Sequence, residues 1–208
     1  MNQLLERIYR TGTVITADGQ ELEAFPMGID RPLAEALYRI VRENNLQCTL
    51  EIGMAYGLSS LAICQALRDN GGGRHIAIDP GQSSWCKSIG MLNLRRAELA
   101  DVVEIYEQPS HLVLPEFLRQ GRTFEFIFID GSHLYDYISV DFFYSRFLIP
   151  VNGLICMDDL GYPAVYATLA FAVKNLQVLS VIEHTKRYCV LKRVKAEDDR
   201  PWDHFVPF

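Results

Sequence analysis

The sequence predicts an α/β fold in which a mostly parallel sheet is covered by helices on both faces. Short apolar runs rich in β-branched residues recur along the chain, and the first five end roughly every 25 residues. Helical patterns fill the intervals between these runs. Strands that alternate with helices in this way build parallel sheets that are buried on both faces. The combination predicts a Rossmann-like, doubly wound sheet.

The predicted strands are seven apolar runs. They cover residues 48–53, 74–79, 102–107, 124–130, 153–159, 178–183 and 187–194. Only residues 184–186 separate the last two runs, which is too short for a crossover helix. These two runs are therefore expected to form a hairpin, and the sheet is expected to contain one antiparallel strand near its edge.

Three helices have clear start or stop signals. They are predicted over about residues 30–44, 58–70 and 161–175. Asp30 followed by Pro32 is a typical helix start. The second helix has an apolar stripe and is ended by the glycines at 71–73.

The chain has 208 residues, enough for one domain with a substantial core. Residues 48–194 are predicted to form the sheet domain, residues 1–47 a helical accessory segment or lid, and residues 195–208 a C-terminal tail. The formal net charge of −6 argues against a nucleic-acid partner. No apolar stretch approaches a membrane span, and the charged N-terminus is not a signal peptide.

The cysteines indicate a reducing compartment. There are five of them, an odd number, and none forms a C-x-x-C pair. A zinc site or a disulfide framework is therefore not expected, and reduced thiols in a cytoplasmic protein are the simpler interpretation.

Acidic side chains lie at the ends of the first five predicted strands. They are Glu51, Asp79, Glu107, Asp130 and the pair Asp158 and Asp159. Ligands of open parallel sheets bind beyond the carboxyl ends of the strands, so these residues are candidates for a site. A crevice lined with carboxylates attracts cations and hydroxyl donors and repels phosphate.

The turn after the first long strand contains Gly53 and Gly57. A dinucleotide site has G-x-G-x-x-G at this point, but here Ala55 and Leu58 occupy the second and third glycine positions. The G-K-[ST] of a P-loop is absent as well. A glycine turn without a phosphate cradle, followed by Asp79 at the end of the next strand, indicates a nucleoside with a positively charged substituent and no phosphate.

The stretch EIGMAYGLS at 51–59, together with Asp79, resembles the first two motifs of class I S-adenosylmethionine-dependent methyltransferases. FIDGSH at 128–133 and GLICMDD at 153–159 are similar to later strand motifs of their small-molecule O-methyltransferase-like subgroup. The resemblance covers roughly residues 48–194 and departs from the family at Val151-Asn152, where a glycine normally precedes Gly153. It implies S-adenosylmethionine as cofactor and a small-molecule methyl acceptor, with oxygen as the expected target.

The resemblance also implies which residues bind the cofactor. The set is Glu51, Gly53, Gly57, Ser59, Asp79, Gln108, Ser110 and Asp130. Within it, Asp79 would bind the ribose, and Glu51 would lie near the methionine amine. Ser59 or its neighbour Ser60 would cap the following helix and reach the methionine carboxylate.

The expected catalytic residues are His133 and Asp130. His133 is the expected general base, because its intrinsic pKa suits proton removal from an acceptor and it follows Asp130 closely. A histidine that packs against the cofactor or caps the helix is the open alternative. A second hypothesis places a divalent cation such as Mg²⁺ on Asp130, Asp158 and Asp159, because oxygen ligands from neighbouring strands suit hard cations.

Two other functions stay open at this point. The chain could be a nonenzymatic S-adenosylmethionine-binding protein, or a nucleotide-linked oxidoreductase, against which the missing glycines argue. Neither the acceptor nor a homo-oligomeric state follows from the sequence. Trp85, Tyr135, Tyr162 and Tyr166 are expected in the core, with an apolar acceptor pocket as the alternative.

Overall fold

A computed structural model describes residues 2–25 and 27–208. Met1, the first residue of the predicted 1–47 segment, and Pro26 within it lie outside the described residues. The helices are α1 (Gln3–Thr11), α2 (Arg31–Glu43), α3 (Leu58–Asp69), α4 (Ile89–Arg96), α5 (Ser110–Arg119), α6 (Tyr135–Leu148) and α7 (Pro163–Asn175). The strands are β1 (Thr13–Ile15), β2 (Glu21–Glu23), β3 (Cys48–Ile52), β4 (Arg74–Ile78), β5 (Val103–Tyr106), β6 (Phe126–Ile129), β7 (Leu154–Met157), β8 (Leu179–His184) and β9 (Cys189–Arg193).

Seven of the strands form a mixed sheet in the order β5-β4-β3-β6-β7-β9-β8. Strand β4 is parallel to β3 and β5, and β6 is parallel to β7. Strand β9 is antiparallel to both of its neighbours, and it pairs with β8 as a hairpin. The predicted Rossmann-like sheet, with one antiparallel strand near its edge, is therefore confirmed.

The chain divides into two compact units, residues 1–109 and 110–208. The first unit contains the predicted accessory segment. That segment is not only helical, because β1 and β2 form a small antiparallel hairpin in which Thr13 pairs with Glu23. The role of the segment as a lid and the domain boundaries at 47 and 194 stay predictions.

The predicted helix ends have the expected local chemistry. Asp30 caps α2 by accepting a hydrogen bond of 3.0 Å from the backbone N–H of Leu33, and Pro32 lies in the first turn. These contacts satisfy donors that every helix N-terminus leaves unpaired. The glycines 71–73 all have positive φ after α3, a conformation that is easily adopted only without a Cβ atom.

The core of the second unit lies around β6 and β7, in which every residue is buried. Apolar runs that are buried on both faces are typical of central parallel strands. At the end of this unit, Asn175 holds the C-terminal tail: its amide accepts from the Val206 N–H at 2.7 Å and donates to the Val206 carbonyl at 2.9 Å. Within the described part of the chain, no helix has the length and apolarity needed to cross a membrane.

Candidate functional site

The predicted glycine turn follows β3 in the first unit. Gly53, Ala55 and Gly57 have φ values of +89°, +46° and +78°. Gly57 is the N-cap residue of α3, and a Cβ atom there would lie 3.1 Å from the Cα atom of Gly90 in α4. The turn therefore needs glycine at this position both for its backbone conformation and for its close contact with α4.

Asp79 follows β4 as predicted, but its carboxylate is already used by the protein. Its Oδ2 atom accepts from the N–H groups of Met54 at 3.0 Å and Ala55 at 2.7 Å, and its Oδ1 atom accepts from the N–H of Gly81 at 2.8 Å. The Gln82 amide donates to the same carboxylate at 3.2 Å. Asp79 therefore fixes the glycine turn, whereas its predicted contact with a ribose stays a prediction.

Glu51 lies within β3 and is 0% exposed. Its Oε2 atom accepts a short hydrogen bond from the Ser60 hydroxyl and lies 3.2 Å from the Nε2 atom of His75. The Nδ1 atom of His75 is 2.9 Å from the Thr49 hydroxyl. These side chains form a buried polar network next to the turn.

The first unit offers acceptors to a ligand. Among its described residues, the buried side-chain polar atoms without a hydrogen-bond partner are Glu51 Oε1 and Gln82 Oε1. Both atoms are oxygens that accept hydrogen bonds and favour positive charge. They fit a ligand that carries an ammonium or sulfonium group and hydroxyl donors, and they do not fit a phosphate.

The other predicted cofactor residues of this unit are Ser59 and Gln108, and their contacts with the cofactor stay predictions. Ser59 is buried in the first turn of α3, so neither Ser59 nor Ser60 is its N-cap. Gln108 is exposed. Glu107 accepts from the N–H of Ser83 at 2.6 Å, and hydrogen bonds from Ser83 lower its pKa.

The second unit brings three predicted residues together. Asp130, His133 and Asp159 each offer one ligand atom, and these atoms all lie within 4.8 Å of one another. Asp130 follows β6, while Asp159 follows β7 in a left-handed backbone conformation with φ of +58°. Such backbone strain in a residue other than glycine is often found at functional sites. We call these three residues the Asp130 cluster.

His133 lies in the loop before α6 and not in its first turn, because that helix begins at Tyr135. Its Nε2 atom is 3.0 Å from Oδ2 of Asp159, yet it is buried without an aligned hydrogen-bond partner. The imidazole stacks on the ring of Tyr162 at 4.1 Å between centroids, with an interplanar angle of 12°. The ring is therefore held by Tyr162, and its Nε2 atom faces the carboxylate of Asp159.

Asp158 does not join the cluster. Its buried carboxylate accepts from Nε of Arg187 at 2.9 Å and from Nη2 at 2.8 Å. Burial raises the pKa of Asp158, and the guanidinium of Arg187 opposes that shift. Both carboxylate oxygens of Asp158 are thus engaged by a cation of the chain, in contrast to the predicted role in metal binding.

Ser110 is the first residue of α5, where its hydroxyl hydrogen-bonds Asp141. Asp141 was missed by sequence reasoning, although a carboxylate and Ser145 one turn apart on an apolar helix are an available signal. Burial raises the pKa of Asp141 to about 6. Ser110 therefore has a structural partner, and its adenine contact stays a prediction.

The four aromatic residues considered for core or pocket are not buried. Tyr135, Tyr162 and Tyr166 are 51%, 50% and 57% exposed, and Trp85 in the first unit is 59% exposed. The expectation that they belong to the core is wrong. Tyr162, which contacts His133, offers an apolar face next to the Asp130 cluster.

The Asp130 cluster fits a divalent cation. Two carboxylates and an imidazole are common ligands of divalent ions, and the buried Nε2 atom of His133 has no aligned partner within the protein. The set differs from the predicted one, because His133 takes part and Asp158 does not.

The sheet order and the glycine turn after β3 fit a Rossmann-like methyltransferase of class I, the class that the sequence motifs resemble. A family described as "Methyltransferase domain" matches residues 50–160, which is more than half of the chain. The chain belongs to this family.

The chain is similar to caffeoyl-CoA O-methyltransferase 2 of Petunia hybrida, with 31% identity over 128 residues that cover 59% of this chain and 50% of that protein. Caffeoyl-CoA O-methyltransferase 3 of Nicotiana tabacum is 32% identical over 120 residues, covering 55% and 46%. The chain thus spans about half the length of the curated relatives it matches.

Solved structures share the fold. An O-methyltransferase of tomaymycin synthesis from Streptomyces achromogenes, in complex with SAM, has a TM-score of 0.71 at 18% identity and covers 94% of this chain and 91% of its own. An O-methyltransferase from Bacillus cereus, in complex with SAH, has a TM-score of 0.69 at 20% identity, covering 94% and 92%.

Proposed function

We propose that the protein is an S-adenosylmethionine-dependent O-methyltransferase that acts on a small molecule. The observation that carries this proposal is the meeting of Asp130, His133 and Asp159 beyond the ends of β6 and β7. An active site that binds the hydroxyl group of an acceptor and removes its proton needs carboxylate or imidazole side chains that accept hydrogen bonds. Membership of the methyltransferase family and the names of the curated relatives support the same reaction.

The first unit is proposed to bind the cofactor. The glycine turn lets the ligand approach the backbone closely, and Glu51 and Gln82 offer unpaired acceptors to its positive charge and hydroxyls. Bound S-adenosylmethionine supplies an activated methyl group. The task left for the protein is to align the acceptor oxygen and to take its proton.

The second unit is proposed to bind the acceptor. Asp130, His133 and Asp159 would receive the hydroxyl, and the exposed face of Tyr162 would contact an apolar or aromatic part of the molecule. A divalent cation held by these residues would lower the pKa of the hydroxyl. The Asp130 cluster also favours an enzyme over a nonenzymatic binding protein, since cofactor binding alone does not require it.

We further propose a reducing, cytoplasmic location, because none of the five cysteines, all of them described, forms a disulfide. A homo-oligomer stays open.

The proposal is tested by calorimetric titration with S-adenosylmethionine, followed by detection of S-adenosylhomocysteine in the presence of hydroxyl-bearing aromatic acceptors. We expect binding, and product formation that depends on the acceptor. A purified protein that binds neither compound would refute the assignment. Binding without turnover across a broad acceptor panel would favour the nonenzymatic alternative.

A further inference from the structure

We propose that the Asp130 cluster selects a first-row transition-metal dication over Mg²⁺, because His133 is one of its ligands and Arg187 keeps Asp158 out. The inference rests on the proposed function, since it concerns the cation of the same acceptor site. It changes the role of His133 from general base to metal ligand.

The donor set is the first argument. An all-carboxylate site offers hard oxygen ligands, which suit Mg²⁺ and Ca²⁺. The cluster instead combines two carboxylates with an imidazole nitrogen, and all three ligand atoms lie within 4.8 Å of one another. Imidazole favours Zn²⁺, Co²⁺ and related ions, whereas Mg²⁺ binds it poorly.

The orientation of His133 is the second argument. Tyr162 stacks on the imidazole at 4.1 Å and thereby restricts the ring. The Nε2 atom is buried and lies 3.0 Å from Oδ2 of Asp159 without forming an aligned hydrogen bond. The separation of 3.0 Å meets the distance of an ion pair, and two ligand atoms of one cation lie at a similar separation.

The turn after β7 connects these groups. The carbonyl of Asp159 accepts a hydrogen bond of 2.9 Å from the N–H of Tyr162, and Asp159 itself has φ of +58°. One short turn therefore positions both a carboxylate ligand and the ring that holds His133. Aspartate adopts this left-handed conformation more readily than most residues other than glycine, so the turn is compatible with a carboxylate at this position.

Arg187 is the third argument. It donates two hydrogen bonds to Asp158, at 2.9 Å and 2.8 Å, so that both oxygens of this buried carboxylate already contact a cation of the chain. A bidentate pair of this kind is among the stronger charge-assisted interactions of proteins. Without Asp158, the protein ligands are two carboxylates and the imidazole of His133, so one ligand atom in three is a nitrogen.

The consequence concerns the proton of the acceptor. An imidazole nitrogen that donates its lone pair to a metal ion cannot accept a proton at the same time. His133 and the cation are therefore not alternative ways of activating the acceptor, as the sequence suggests, but parts of one arrangement.

The experiment measures metal affinity directly. Untagged, metal-stripped protein is titrated with Co²⁺ and with Mg²⁺ by calorimetry, and the visible absorption of bound Co²⁺ is recorded. We expect Co²⁺ to bind about 100-fold more tightly than Mg²⁺. In His133→Asn, which replaces nitrogen by oxygen, this ratio should fall about tenfold or more and the Co²⁺ spectrum should change.

Two further variants complete the design. His184→Asn removes an exposed histidine outside the cluster and should leave both the ratio and the spectrum unchanged. Arg187→Gln releases Asp158, so Mg²⁺ should bind about tenfold more tightly and the ratio should fall. Thermal unfolding of each variant verifies that it is folded before the titration.

Equal affinities for Co²⁺ and Mg²⁺, a ratio that His133→Asn leaves unchanged, or Mg²⁺ affinity that Arg187→Gln leaves unchanged would overturn the inference. Titration of the same samples with S-adenosylmethionine separates it from the proposed function. Absence of metal binding with intact cofactor binding defeats the inference alone, whereas absence of cofactor binding defeats the proposed function.

Discussion

Asp141 shows how one residue can make stability depend on pH. It lies on α6 at 2% exposure, and neither its Oδ1 atom nor the hydroxyl of Ser145 one turn later has a hydrogen-bond partner. Burial raises the pKa of Asp141 to about 6, against the opposing effects of Ser110 and His111. The folded state therefore favours the protonated carboxyl group, and ionisation of Asp141 destabilises it.

Asp141→Asn is expected to stabilise the protein at pH 8. The stabilising effect of the protonated group is complete below the ordinary pKa of 3.8 and is lost as the pH rises through about 6. The difference between these two pKa values corresponds to about 3 kcal/mol, which is the upper limit of the gain. Chemical denaturation of both proteins between pH 4 and pH 8 measures it.

The advantage of the asparagine variant should become small towards pH 4. Asp203→Asn, at an exposed position in the tail, serves as the control and should show no such pH dependence. A gain of equal size at pH 4 and pH 8 would contradict the assigned cause.

At the scale of elements, the contact between the glycine turn and α4 fixes the region that we propose to bind the cofactor. Gly57 is the N-cap of α3 with φ of +78°, and an added Cβ atom would lie 3.1 Å from the Cα atom and 3.2 Å from the carbonyl oxygen of Gly90. The atoms in contact belong to the backbone of α4, which cannot move aside as a flexible side chain could. The turn and the start of two helices are therefore packed as one element.

Gly57→Ala is expected to destabilise the protein and to weaken binding of S-adenosylmethionine. Gly12→Ala is the matched control, since Gly12 has φ of +73° but nothing within 4 Å of an added Cβ atom. In the control, backbone strain alone should lower the free energy of unfolding by about 1–2 kcal/mol, and the affinity for the cofactor should not change. Denaturation and calorimetry measure both effects; equal losses in the two variants would show that the contact with Gly90 is unimportant.

At the scale of the whole molecule, ligand binding and folding are linked. A compound that binds only the folded chain raises the free energy of unfolding in proportion to the logarithm of its concentration. The proposed function thus predicts a property of the entire protein, which can be measured without knowledge of the acceptor.

S-Adenosylmethionine at 100 times its dissociation constant should raise the free energy of unfolding by about 2.7 kcal/mol. For a chain of this size, that corresponds to an increase in Tm of about 5–10 °C. NAD⁺ at the same concentration should leave Tm unchanged, because the glycines of a dinucleotide site are missing. Stabilisation by NAD⁺ and not by S-adenosylmethionine would favour the oxidoreductase alternative. Differential scanning fluorimetry measures the Tm of each sample.

Most of the fold was predictable because its signals are local. Apolar runs mark the strands of the large sheet, and Asp30 and the glycines 71–73 mark helix ends through contacts within a few residues. The β1–β2 hairpin was not predicted, since its strands of three residues each are too short for a periodic pattern.

The candidate site was predictable only in part. The acids at the strand ends could be named from the sequence, but their partners could not. Arg187 reaches Asp158 because β9 runs antiparallel to β7, where Cys189 pairs with Met157, and this register is a long-range property. The buried pairing of His75 with Glu51 depends likewise on the registration of β3 and β4.

Residue order along the chain was enough to assign the fold and the family, because strand patterns and the EIGMAYGLS turn are encoded in consecutive residues. Only the tertiary structure determined which carboxylates hydrogen-bond to other side chains of the protein and which lie next to His133. Hydrogen bonds from Arg187 engage Asp158, while the turn after β7 directs Asp159 towards the imidazole. Asp158 and Asp159 are adjacent in the sequence but have different chemical environments, because folding brings different side chains within hydrogen-bonding distance of each.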